Sequence, residues 1–352
     1  MNKPSRLIVL APGDSIHTEK WLKLVCKKFD EVKLLTFEPT TRIDSEKFTT
    51  EEFSKNLYGL LKIYYRLIIS LMNDKNVIVH AHYATLYGLI LCILPHKHTV
   101  LSVWGSDVYE FPYRSILHRI LSKLILLRPK VVCSTSQVMA NHCEKLLKRK
   151  YHVVPFPVDT ELFQPRYNEN TVNKRIGTVK SLERIYGIDV LINAFAALIT
   201  RYEDEDISLH IVGMGSELES LKKLTRSLKI EDKVFFEGKK SQVEVAEFIS
   251  ELKIFASFSR AESFGVSALE AMSCAIPVTA STAPGFIEII QNNKTGFTFG
   301  IDNLNEIVDC WEKLIDDDNF YQKIATAARE HVLLKYSNNH FLTAQMKVYH
   351  EV

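Results

Sequence analysis

The stretch 253-KIFASFSRAESFGVSALEAMSCAIPVTAS-281 reads as a strand, a helix and a second strand. KIFASFS and IPVTAS are short apolar runs of the kind that fills a parallel sheet, and GVSALEAMS between them has helical spacing. Two glutamates, Glu262 and Glu270, stand eight residues apart in this apolar setting. Glu262 falls in the strand-to-helix loop and Glu270 about two turns further on. One reading makes them surface charge, an Arg260–Glu262 pair beside a solvated Glu270, because carboxylates seldom leave the surface. The other turns both toward a ligand beyond the carboxyl ends of the strands, where open α/β sheets bind.

The same alternation extends on both sides. RIGTVKS, DVLINAFAALITRY, ISLHIVGMG, ELESLKKLTRSL, KVFFEG and VEVAEFISE precede the stretch, and GFIEIIQ and TGFTF follow it. A separate series runs from RLIVLAPGD through VKLLTF, NVIVHAH and HTVLSV to KVVCSTS, with amphipathic helices between the strands. Pro155, Pro157 and Pro165 interrupt the pattern in VVPFPVDTELFQPRYNENTVNKR, the expected linker. At 352 residues the chain exceeds what one core usually fills. The predicted class is therefore α/β, with two doubly wound Rossmann-like domains, 1–158 and 159–335, facing across a cleft. Residues 336–352 are predicted to form a helix returning to the first domain.

Composition narrows the function. A net charge of +2 argues against a nucleic-acid partner. Six cysteines without C-x-x-C spacing read as reduced thiols, which suggests a cytoplasmic protein. The opening apolar run, LIVLA, ends at Pro12, Gly13 and Asp14, too soon for a signal peptide, and no apolar stretch reaches the ~20 residues of a spanning helix. The loop APGDSIH lacks G-x-G-x-x-G, which counts against a nicotinamide dehydrogenase; Gly13 remains a nucleotide-side candidate. Gly213 and Gly215 of GMG follow a strand and permit close backbone approach to a nucleotide. The acidic run Asp316–Asp318 reads as a solvated helix end rather than a metal site.

ESFGVSALEAMSCAIPVTAS, with its E-x7-E frame, resembles the signature of the retaining glycosyltransferases of family 4, which share the GT-B fold. SIHTEKW, HAHYATLYG and SVWGSDVYEFP resemble first-domain motifs of bacterial members that build surface polysaccharides, and IGTVKSLERIYGIDVLINAFA resembles the opening of their second domain. The resemblance implies a nucleotide-sugar donor, with UDP favoured, and a glycan or lipid-linked acceptor. It implies that Glu262 contacts the donor sugar and Glu270 the ribose hydroxyls. Carboxylates are acceptor-only groups suited to vicinal hydroxyls. Backbone N–H groups of Phe264 and Gly265 at the helix start would meet the diphosphate, and Ser263 beside them is a further donor-binding candidate. The resemblance further implies that an Arg/Lys pair replaces a metal ion on the leaving group; Lys180 and Arg184 are the candidates, and two solvated loop cations the alternative. No cofactor or metal is expected.

In the first domain His82 is either a catalytic residue of the cleft or a satisfied structural group. His17, Trp104 and Asp107 are acceptor-side candidates. Relatives often carry histidine where this chain has Trp104, which is either a platform for a sugar ring or core. The run YRSILHRILSKLILLRPK, 113–130, combines an apolar stripe with six basic or histidine side chains. It is either a helix for an anionic membrane surface or a sheet-packing helix with a solvated basic face. The predicted activity is retaining sugar transfer. A sugar-nucleotide epimerase or hydrolase, and a sugar-nucleotide-binding protein without catalysis, are the alternatives.

Overall fold

The computed structural model describes residues 6–40, 48–166, 174–201 and 206–352. Residues 167–173 of the expected linker lie outside the described residues. The chain divides into two units, 1–157 with 338–352, and 158–337.

In the first unit the strands are β1 (Arg6–Leu10), β2 (Glu31–Thr36), β3 (Thr49–Glu52), β4 (Ile78–His82), β5 (Thr99–Val103), β6 (Val131–Ser134) and β7 (His152–Val153). They form one sheet in the order β3-β2-β1-β4-β5-β6-β7, with every described pairing parallel. Strand side chains alternate between faces, and β1 shows the consequence. Ile8 and Leu10 enter a core with Ile63, Leu67, Ile90, Ile125 and Met139, while Leu7 and Val9 enter another with Trp21, Leu22, Phe341 and Val348. Phe341 and Val348 belong to the helix Asn338–His350, so the last helix completes this second core. Strand β3, TTEE, has no apolar alternation and occupies the sheet edge, where one neighbour suffices.

The second unit holds β8 (Arg175–Val179), β9 (Ser208–Val212), β10 (Val234–Gly238), β11 (Ile254–Ser257), β12 (Val278–Ser281) and β13 (Phe297–Phe299) in the order β10-β9-β8-β11-β12-β13. All described pairings are again parallel. Trp311, fully buried, anchors this core and donates from its indole nitrogen to Thr279 Oγ1 at 2.9 Å. Part of the expected linker is packed structure. Phe163 is fully buried, and its carbonyl accepts from Ser273 Oγ at 2.6 Å. The expected solvated end at Asp316–Asp318 is a cap: Asp317 Oδ1 accepts from the Phe320 N–H at 2.9 Å, and Asp318 pairs with Lys253 at 3.2 Å.

In both sheets strand order reverses once, between β1 and β4 and between β8 and β11. The loops after those strands flank the crevice in which doubly wound sheets bind ligands.

Candidate functional site

In the second unit the loop after β8 carries Lys180 and the loop after β11 carries Glu262. The ammonium of Lys180 donates to Glu262 Oε2 in an ion pair whose side chains are only 12% and 10% exposed. The Arg260–Glu262 pair of the surface-charge reading does not form. Arg260 instead holds Asp189 through two bonds of 2.8 and 2.6 Å, and its guanidinium also donates to the Arg184 carbonyl at 2.8 Å. The Arg260 N–H donates to the Ile185 carbonyl at 2.8 Å. These bonds tie one switch-point loop to the other, and Arg260 holds the Asp189 carboxyl below the usual carboxylate range. Lys180 lies 4.9 Å from the Tyr186 ring centre, a cation–π contact that orients it further.

Glu270 is 4% exposed, so the solvated alternative fails for it. It sits one turn inside the helix Val266–Ser273, which Gly265 opens at a φ of 92°. Phe264 is buried; its N–H is turned to Glu262 Oε1 at 3.5 Å, and Ser263 beside it is half-buried. The structure therefore brings Lys180, Glu262, Phe264 and Gly265 together at one crevice, with Glu270 on the helix behind them.

Arg184 is placed differently. The chain turns through the short helix Arg184–Tyr186, and Arg184 is exposed. It lines a groove of about 230 Å³ with Glu183, Asp189, Glu217 and Ser220, a lining that contains neither Lys180 nor Glu262. Gly213 and Gly215 also correct the sequence reading, because the close approach they permit is to the chain itself. A Cβ on Gly213 would stand 1.8 Å from the Lys180 carbonyl oxygen, and one on Gly215 2.3 Å from that of Leu182. The pair seats the Lys180 loop.

Sequence reasoning missed the supports. The Gly285 N–H donates to the Glu262 carbonyl at 3.0 Å, and a Cβ there would meet the Phe264 nitrogen at 2.6 Å. The signal was present in APGF, a Pro-Gly helix start directly after β12. Asp189 and Arg260 lie far apart in sequence, and nothing local marks them as partners.

In the first unit His82 is fully buried, between Trp21 and Trp104 at ring-centre distances of 4.6 and 4.3 Å. Neither ring nitrogen has a hydrogen-bond partner among the described residues, and burial, with His80 beside it, pushes its pKa well below the usual histidine value. His80 is satisfied by Tyr349 Oη at 2.7 Å and Ser102 Oγ at 2.8 Å, and burial lowers it to about 3. His17 stacks on Phe156 at 4.5 Å; burial, with Lys20 adding to it, lowers it to about 4. Trp104, 8% exposed, is ringed by His17, His82, Tyr83 and Phe156, so the core reading holds. Asp107 is a loop latch. Its carboxylate accepts from the Ala84, Gly105 and Trp104 N–H groups at 2.7, 2.8 and 3.2 Å. The Gly13 N–H is likewise engaged by the chain, at 2.8 Å from Thr36 Oγ1.

Two family models match the chain. Residues 159–331 match "Glycosyl transferases group 1", and residues 6–136 match "Glycosyl transferase 4-like". N-acetyl-alpha-D-glucosaminyl L-malate synthase of Bacillus anthracis is 24% identical over 290 residues, covering 78% of this chain and 74% of that protein. Among solved structures, Anabaena Alr3699/HepE in complex with UDP superposes with a TM-score of 0.84 at 16% identity, covering 99% and 100% of the two chains. Sucrose-phosphate synthase from Thermosynechococcus elongatus does so at 0.81 and 18%, covering 98% of each. The architecture is the GT-B fold. With one glycosyltransferase model on each unit, the chain belongs to the group 1, family 4-like glycosyltransferases.

Proposed function

We propose that the chain moves a sugar from a UDP-sugar to a hydroxyl of a glycan or lipid-linked acceptor in cell-surface polysaccharide synthesis, with retention at the anomeric carbon and without a metal ion. The observation that carries this reading is the Lys180–Glu262 pair, drawn from the two loops that flank the switch point. Lys180 supplies positive charge where the diphosphate departs, Glu262 meets hydroxyls of the donor sugar, and Glu270 serves the ribose. The bond from the anomeric carbon to the diphosphate oxygen breaks, and the acceptor oxygen bonds to the same face. The acceptor's proton passes to the departing phosphate oxygen. A cation already in place stabilises the charge that grows on that oxygen without reorganisation at the moment of reaction. The UDP in the Anabaena structure supports the choice of base. The helix in 113–130 docks on the inner face of the cell membrane, where a lipid-linked acceptor would be met.

The test is UDP release from a panel of UDP-sugars, with and without acceptor hydroxyls, in the presence of a chelator. Release that requires an acceptor and yields a glycoside of unchanged anomeric configuration supports the reading. Equal release without acceptor makes the protein a hydrolase or epimerase. Activity lost to the chelator and restored by magnesium or manganese overturns metal independence.

A further inference from the structure

Two helices on one face of the first sheet are apolar on both sides. The helix Leu57–Asn73 buries Ile63, Leu67 and Leu71, yet Leu57, Leu61, Tyr65 and Met72 form a second stripe on its outer side. Leu57 is 72% exposed and Met72 77%. The helix Ile116–Leu127 buries Ser122, Ile125 and Leu126, while Ile116, Leu117, Ile120, Leu124 and Leu127 face outward, with Ile116 81% exposed. A helix apolar all round is ordinarily covered all round.

The two helices share one core. Ile63 and Ile125 enter the same core as Ile8, so both helices cover the same sheet face. The short helix Leu86–Ile93 touches both of them. Tyr64 Oη donates to the Ile93 carbonyl at 3.2 Å, and a Cβ on Gly88 would stand 2.7 Å from Ile125 Cγ2. Ile93 itself is exposed and adds an apolar side chain between them.

Charge selects what covers this surface. Neither Leu57–Asn73 nor residues 113–130 contains an aspartate or glutamate; the first carries Lys62 and Arg66, the second Arg114, Arg119, Lys123, Arg128 and Lys130. Apolar stripes on helices whose own charged side chains are all cations, one of which, Arg66, also pairs with Glu51 of β3 at 3.3 Å, match a leaflet of anionic lipid, whose acyl region takes the stripes and whose headgroups meet the cations.

We propose that the helix Leu57–Asn73 is a second lipid-docking element, so that the first unit lies on an anionic leaflet through two helices and Ile93 rather than through 113–130 alone. This rests on the membrane reading above and extends it to a segment that its charge pattern alone does not mark. Two-helix contact fixes the tilt of the unit on the membrane, which a single helix leaves free to roll.

The experiment uses the full chain and vesicles of phosphatidylglycerol in phosphatidylcholine. Leu61→Ser/Tyr65→Ser and Ile120→Ser/Leu124→Ser alter exposed positions only, and circular dichroism checks that both fold. Each double variant is expected to bind vesicles about tenfold or more weakly, since two apolar side chains lose their lipid contact. Leu61→Trp adds a depth probe: the native Trp21, Trp104 and Trp311 are buried, so brominated lipid should quench chiefly the new indole. Unchanged binding by the first double variant and no quenching at residue 61, with loss in the second, overturns the two-helix proposal and leaves 113–130 as the attachment. No vesicle binding by the wild-type chain at low salt overturns both. A wild-type dimer that either double variant dissociates, without vesicle binding, assigns the surface to self-association and overturns them as well.

Discussion

Glu262 and Glu270 occupy different surroundings, and their substitution should fail in different ways. Glu270→Ala is expected to weaken binding of free UDP about tenfold to a hundredfold, because the ribose is common to donor and product. Glu262→Ala should leave UDP affinity near normal and lower turnover, since its proposed partner is the sugar. Calorimetry with UDP beside steady-state rates with the donor separates the two; exchanged effects would reverse the roles. Lys180→Ala should cost ~10²–10³ in kcat, the scale of losing one electrostatic donor. Arg184→Ala should cost far less, because Arg184 lies exposed in a separate groove. Equal losses would show that the loop moves to bring both cations in. The glutamates were legible because their spacing sits in a strand-helix-strand frame. The register of the cations was not, since a loop's course depends on contacts such as those of Gly213 and Gly215 with residues 180 and 182.

At the scale of elements, the bidentate Arg260–Asp189 pair helps hold the Lys180 loop to the Glu262 loop, beside the bonds from Arg260 to the Arg184 and Ile185 carbonyls and the Lys180–Glu262 pair. Asp189→Ala should lower kcat on the order of tenfold to a hundredfold through misplacement of Lys180, with KM for the acceptor little changed. In a Lys180→Ala background the same substitution should add little, because both act through one group. Strictly additive losses would make Asp189 independent of Lys180. The pair's side chains are a third or more exposed, so its contribution to stability should be small. Strands with apolar runs, such as RLIVL and TVLSV, were readable at this scale, as was the helix in GVSALEAMS. The edge strand TTEE was not, because an edge position demands neither alternation nor bulk. Nor could sequence separate the two faces of 113–130: the helix both packs on the sheet through Ile125 and Leu126 and presents a second stripe.

For the whole molecule, the buried imidazoles make acid the vulnerable side. His80 is lowered to about 3, His17 to about 4, and His82 well below its ordinary value, all chiefly by burial. Unfolded histidines take up protons near 6.5 that the native rings refuse. The contribution is therefore fully present above about pH 6.5 and is lost as pH falls from there toward the native values. Thermal melts should show a declining transition temperature for the first unit between about pH 6.5 and 4. His82→Phe should flatten that decline by up to one proton, about 1.4 kcal/mol per pH unit; an unchanged slope would mean that His82 ionises without penalty. The helix Asn338–His350 carries a consequence of another kind, in time rather than space. Its Phe341, Val348 and Tyr349 finish a core begun by Leu7 and Val9, yet the ribosome makes the whole of 158–337 in between. At ordinary elongation rates that interval is on the order of ten seconds to half a minute. Throughout it the sheet face bearing Leu7 and Val9, on which Trp21 of the helix Ile16–Val25 packs, lacks its last cover, a natural place for a chaperone to hold.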